Sequence, residues 1–180
     1  MKRTVWLWEL FGFAVTSLGG TLLHFLYDLS GEAMLVAPFS GVNESTWEHM
    51  KLLFWPMLAF AIAQGFFFKD VGGFWNIKLR STLLGLILIP VIFYTYNGVI
   101  GKSPDWINIT IFFVAAAAAY AYEAWLFSRD TPYTVPQKYA FLCFAVIAIT
   151  FAVFTFKTPT LEIFRDPLTG GFGMPKEALK

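Results

Sequence analysis

Residues 5–28 read VWLWELFGFAVTSLGGTLLHFLYD, and this stretch decides the fold. It is an apolar run longer than the ~20 residues needed to cross a bilayer as a helix. It is also too long for the apolar core of a signal peptide, and no small-residue cleavage site follows it. It reads as a retained first span. At about 100° per residue, Gly12, Thr16, Gly20, His24 and Asp28 form an i, i+4 ladder. Small residues in that ladder let another helix approach closely. The ladder ends in two potential ligands, His24 and Asp28, with Glu9 near the other end of the same stripe.

Four further apolar segments follow. The spacing predicts spans over 5–27, 50–68, 81–97, 106–127 and 139–156, then a tail over 157–180. Segments of this length are helices, because lipid leaves every backbone group to be paired within the segment. The whole chain reads as a single all-α domain, a polytopic membrane bundle of five transmembrane helices. Pro56 and Pro90 fall inside spans and remove backbone donors there.

Composition agrees. Of 180 residues 57% are hydrophobic and 14% charged, the net charge is +1, and there is one cysteine, Cys143. Mean hydropathy is +0.61. An average soluble domain carries ~25% charged residues. An ordinary soluble globule, a disordered chain and a nucleic-acid binder are therefore excluded. A single cysteine excludes an internal disulfide framework and a cysteine-only zinc site.

Charge distribution gives the expected orientation. Lys2, Arg3, Lys69, Lys78, Arg80, Arg129 and Lys138 fall on one side. Only Lys51 and Lys102 fall in the opposite loops, with Lys157, Arg165, Lys176 and Lys180 on the tail. This predicts a cytoplasmic N-terminus and a tail on the outer face. Asp28, Glu32, Glu44, Glu48, Asp105, Glu162, Asp166 and Glu177 lie on that outer side, and Asp70 and Asp130 in inner loops.

Asn108, Ala115, Ala119 and Glu123 share a face of the fourth span. Packing that face against the small face of the first would bring Glu9 and Glu123 to one depth. Two readings follow: acids reaching the interface or paired with Lys2, Arg3 or Arg129, and a proton-carrying pair.

The residues before the second span carry the most chemistry: Val42-Asn43-Glu44-Ser45-Thr46-Trp47-Glu48-His49-Met50-Lys51. Ser45 and Glu48 fit a capping box, and Trp47 fits an interfacial anchor. With the first span, the stretch gathers His24, Asp28, Glu44, Glu48 and His49, including both histidines of the chain. Three readings stand: a metal-free structural cluster, a divalent metal site, and a metal-free catalytic or ligand pocket. Imidazole and carboxylate ligands suit Zn, Mn or Fe, and His24, Asp28, Glu48 and His49 are the candidate set. In an enzyme, a metal-bound water or a carboxylate–histidine pair would act as nucleophile or general base. Tyr96, Asn97, Asn108 and Asp166 are candidate substrate-binding residues on the same side. The tail stretch from Phe164 to Gly173, with Asp166-Pro167 and Thr169-Gly170-Gly171, is turn chemistry and is expected to fold over the outer mouth.

Together with Phe54-Trp55-Pro56 and the tail, the 42–51 motif resembles the signature of a family of small bacterial multi-pass membrane proteins without a known activity. Phe172 stands where that family's tail motif has tyrosine. The resemblance implies one domain in a bacterial plasma membrane. The favoured function is an outward-facing polar pocket for a small or lipid-like substrate. The alternatives are a transport component, with a cavity lined by Gln64, Thr16 and Tyr94, and a structural subunit of a homo-oligomer or larger membrane complex.

Overall fold

The computed structural model describes residues 2–101, 104–129 and 135–174. Lys102, Asp130, Lys176, Glu177 and Lys180 lie outside them, as do the side chains of Lys2 and Asp105. Five α-helices follow one another: α1 (Lys2–Leu29), α2 (Thr46–Gly65), α3 (Phe74–Val99), α4 (Asp105–Phe127) and α5 (Gln137–Phe156). A short 3-10 turn, Glu162–Phe164, lies in the tail. The described residues form no β-strand, only one isolated bridge between Arg165 and Phe172.

Among the described residues four helices are long and apolar enough to cross a membrane: α1, α3, α4 and α5. The remaining helix, α2, is less apolar than these four. This helix carries Glu48, Lys51 and Gln64, all buried inside the protein. Its polar groups meet protein partners, so its composition need not match lipid. At 20 residues it is still about 30 Å long, as long as the hydrocarbon core is thick.

Boundaries also differ. The α3 helix begins at Phe74 rather than residue 81. The polar run Asn76-Ile77-Lys78-Leu79-Arg80 hid its first two turns from a hydropathy reading. Asn76 donates to the Val135 carbonyl and the Trp75 N–H to Gln137, tying this end to the start of α5. Gly73 precedes the helix at φ 74°, a left-handed conformation that glycine adopts without steric cost.

Helices α1 to α4 close into a ring in which α1 touches α2 and α4, and α3 touches α2 and α4. The fifth helix packs on α3. It reaches α2 through Phe144 and Phe151, which meet Phe54. Small residues set the spacing. A Cβ on Gly20 would meet the Phe112 ring at 2.5 Å, and Gly12 lies against Phe60 and Tyr120. The small face of α1 therefore receives aromatic rings from α4, not the alanine face predicted for it. Ala119 of that alanine face instead approaches Gly85 on α3. Thr16 and Gln64 are fully buried among these helices.

Candidate functional site

Ser40 determines how the loop after α1 meets the helix. Its hydroxyl donates to the Leu23 carbonyl and accepts the Tyr27 N–H at 2.9 Å. These groups are four apart, so the serine stands in a rung of the α1 ladder. The loop is thus pinned one turn from His24, and Glu44 follows four residues later.

Asn43 and Ser45 then start α2. The Ser45 N–H donates to Asn43 Oδ1 at 2.9 Å, and Ser45 Oγ accepts the Glu48 N–H at 3.4 Å. Only half of the predicted capping box forms. The Glu48 carboxylate turns away from Ser45, accepts the Val42 N–H at 3.1 Å and pairs with Lys51 at 2.6 Å.

What converges is His24, Glu44 and His49. Glu44 Oε1 lies 3.4 Å from His24 Nε2, and Oε2 lies 3.7 Å from His49 Nε2. The imidazole centroids are 5.8 Å apart. Hydrogen bonding from the His24 ring holds the Glu44 carboxyl below the usual carboxylate range, with His49 nearby adding to the effect against its partial burial. His49 Nδ1 lies 3.0 Å from the Ser45 carbonyl. A carbonyl can only accept, so Nδ1 carries a proton and Nε2 faces the Glu44 carboxylate. His24 Nδ1, by contrast, is buried without a hydrogen-bond partner.

One ligand atom from each of the three residues can be chosen so that all lie within 4.8 Å of one another. This differs from the set predicted for a metal. Glu48 is removed by its buried pair with Lys51, and Asp28 is exposed outside the group. Glu44, a catalytic candidate outside the predicted metal set, takes the place between the two rings.

The three residues form the polar end of a cavity of about 340 Å³ between α1 and α4. Its walls are apolar: Phe25, Leu52, Ile109, Phe112 and Phe113. Gly20 lines it because a side chain there would collide with Phe112 and the Leu52 carbonyl. Pro56 has no N–H to offer that carbonyl, so Leu52 places a backbone acceptor beside the cavity. Phe25 and Ile109 are 54% and 57% exposed, on the outside of helices apolar enough for a membrane.

Among the predicted substrate-binding residues, Asn108 lines the cavity. Asn97 donates to the Phe93 carbonyl on its own helix at 2.8 Å. Tyr96 and Asn97 are not among the lining residues. Asp166 organises the tail: it accepts the Leu168 N–H and the Thr169 hydroxyl, at 2.9 and 2.7 Å. That turn delivers Pro167 and Leu168 to the cavity wall. Asn43 fastens the tail by donating to the Gly173 carbonyl at 2.9 Å, and Phe164 stacks against Trp47. The aromatic walls and Leu168 were not singled out from sequence, where their apolarity is indistinguishable from a lipid-facing surface.

The model of DUF6512, a family of unknown function, matches residues 2–174. The chain belongs to this family. The match takes in every residue of the DUF6512 pocket described above, from Gly20 to Leu168. Comparison of this DUF6512 member with curated proteins and with solved structures gives no match.

Proposed function

We propose that this DUF6512 protein is a membrane protein that binds a small amphiphile between α1 and α4. The polar head meets His24, Glu44, His49 and Asn108, and the apolar part lies along Phe25, Ile109, Phe112 and Phe113. One observation carries the reading: an apolar cavity with a two-imidazole, one-carboxylate end has its rim on the face that lipid would cover. A ligand could enter sideways from the bilayer. The volume is near the lower end of the ~300–1,000 Å³ typical of ligand pockets. It suits one chain or a short amphiphile rather than a whole two-chain lipid. Pro167 and Leu168 close the end nearest the tail.

In this reading α2 also crosses the bilayer, giving five spans in a bacterial plasma membrane. The end bearing Arg3, Lys69, Arg80, Arg129 and Lys138 faces the cytoplasm. The pocket and tail face outward.

A single-chain lipid with a photoactivatable group on its chain tests the proposal in membranes. Labelling concentrated on Phe25, Ile109, Phe112 and Phe113 is expected. Labels spread evenly over the exposed faces of α1, α3, α4 and α5 would contradict it.

A second reading has its own support. His24, Glu44 and His49 would hold a divalent transition metal (Zn, Mn or Fe), whose bound water would serve as a nucleophile. The His49 Nδ1–H bond to Ser45 is the outer-shell support that metal-bound histidines have. His24 has no such acceptor at Nδ1, and for that reason the amphiphile reading stands first. Stoichiometric metal on elemental analysis, lost in H49A, would reverse the order.

A further inference from the structure

At the far end of the bundle a second polar cluster is sealed among four helices. Glu9 on α1, Gln64 on α2, Lys78 and Ser81 on α3, and Glu123 on α4 are all buried. His24 and Glu9 are 15 residues apart on α1, about 22 Å at the helical rise, so the cluster is separate from the pocket.

The contacts are specific. Lys78 Nζ and the Ser81 hydroxyl both donate to Glu123, one to each carboxylate oxygen. Gln64 Nε2 donates to Glu9 Oε1 at 2.9 Å. Lys78 Nζ stands 3.9 Å from Glu9 Oε2, and that oxygen is buried without a hydrogen-bond partner. The Glu9 and Glu123 carboxyl groups therefore face one ammonium, that of Lys78.

Two ionised carboxylates only accept, so neither offers the orphaned Glu9 oxygen a donor. A proton on one of them supplies the missing donor and satisfies the orphaned oxygen. It also removes the cost of two like charges at close range in a low dielectric. The titratable groups facing the pair are Lys78 on α3 and Tyr120 on α4. The Lys78 ammonium lies 5.2 to 6.0 Å from the rings of Phe60, Phe74, Phe127 and Tyr120, within reach of cation–π attraction. The Tyr120 hydroxyl is engaged with Thr16 Oγ1 at 2.7 Å. One ammonium with two carboxyl groups and one proton is a neutral set.

We propose that Glu9 and Glu123 hold one proton between them at neutral pH, forming a buried proton-binding site in the bundle. Among the described residues the cation that meets both acids is Lys78, which sequence reading placed in a loop.

Infrared spectroscopy of the protein in lipid at neutral pH tests this through the carboxylic-acid C=O stretch, which shifts on exchange into D2O. The wild type is expected to show such a band. E9Q and E123Q are each expected to abolish it, because the remaining glutamate becomes an ordinary ion pair with Lys78. E9D and E123D keep both carboxyl groups and are expected to shift the band, which preserves the test if the glutamine variants fail to fold. Absence of the band in the wild type would overturn the proposal. So would a band that survives in either E9Q or E123Q, or that moves in neither aspartate variant.

Discussion

The Glu48 carboxylate and the Lys51 ammonium form an ion pair of 2.6 Å, one turn apart on α2 and both buried. Lys51 extends this link by donating to the Ala37 carbonyl and the Thr155 hydroxyl, at 2.8 and 2.9 Å. One side chain therefore joins the loop after α1, the start of α2 and the end of α5. Breaking a buried pair by removing one partner leaves the other charge uncompensated, at a cost of ~3–5 kcal/mol. K51M and E48Q should each lower thermal stability in detergent by that order. The double variant E48Q/K51M should lose less than the sum, as a double-mutant cycle would show.

Two glycines, Gly20 on α1 and Gly72 in the loop before α3, separate contact from open space. A Cβ on Gly20 would stand 2.9 Å from the Leu52 backbone oxygen, which cannot turn aside as a side chain could. Gly72 has nothing within 4 Å. G20A is expected to destabilise by ~1–3 kcal/mol, the usual cost of overpacking. G72A is expected to leave unfolding unchanged. Thermal melts of the two variants side by side check both.

Thr16 and Tyr120 share a buried hydrogen bond of 2.7 Å between α1 and α4. Either T16V or Y120F leaves one hydroxyl without its partner, which costs ~1–3 kcal/mol. The double variant T16V/Y120F removes both and should recover part of the loss. Chemical or thermal unfolding of the four proteins measures the coupling.

Asn43 fixes the tail at Gly173 while its carbonyl oxygen receives the Ser45 N–H. N43A should loosen the segment carrying Pro167 and Leu168 and expose it to protease. Limited proteolysis is expected to cut N43A after residue 157 faster than the wild type. D166A should act in the same direction, because Asp166 holds the turn through Leu168 and Thr169.

Much of the fold was legible in the sequence, for a physical reason. Length and apolarity betray a helix that must meet lipid, so α1, α4 and α5 were found nearly to their ends. The same signal fails where protein takes the place of lipid. It cut the start of α3, because Asn76 and Lys78 are satisfied by protein partners there. It also made α2 look like the other spans, although its acid and lysine are buried against one another. At the site, helical spacing brought His24 and His49 to one end, and the structure joins them through Glu44. The choice among Asp28, Glu44 and Glu48 was not legible. It depends on Ser40 entering the α1 ladder, a contact across 13 residues, and on Lys51 claiming Glu48 one turn away on α2. The small stripe of α1 signalled close packing, but not which residues of α4 would fill it.

Native mass spectrometry of the protein released from membranes tests the central claim most directly. The wild type should carry one amphiphile per chain. I109W would put an indole into the cavity from an exposed position, and H24A/H49A would remove its imidazoles. Both should lose the adduct while keeping the wild-type melting temperature. An adduct retained equally by all three proteins, or absent from the wild type, would contradict a ligand bound between α1 and α4.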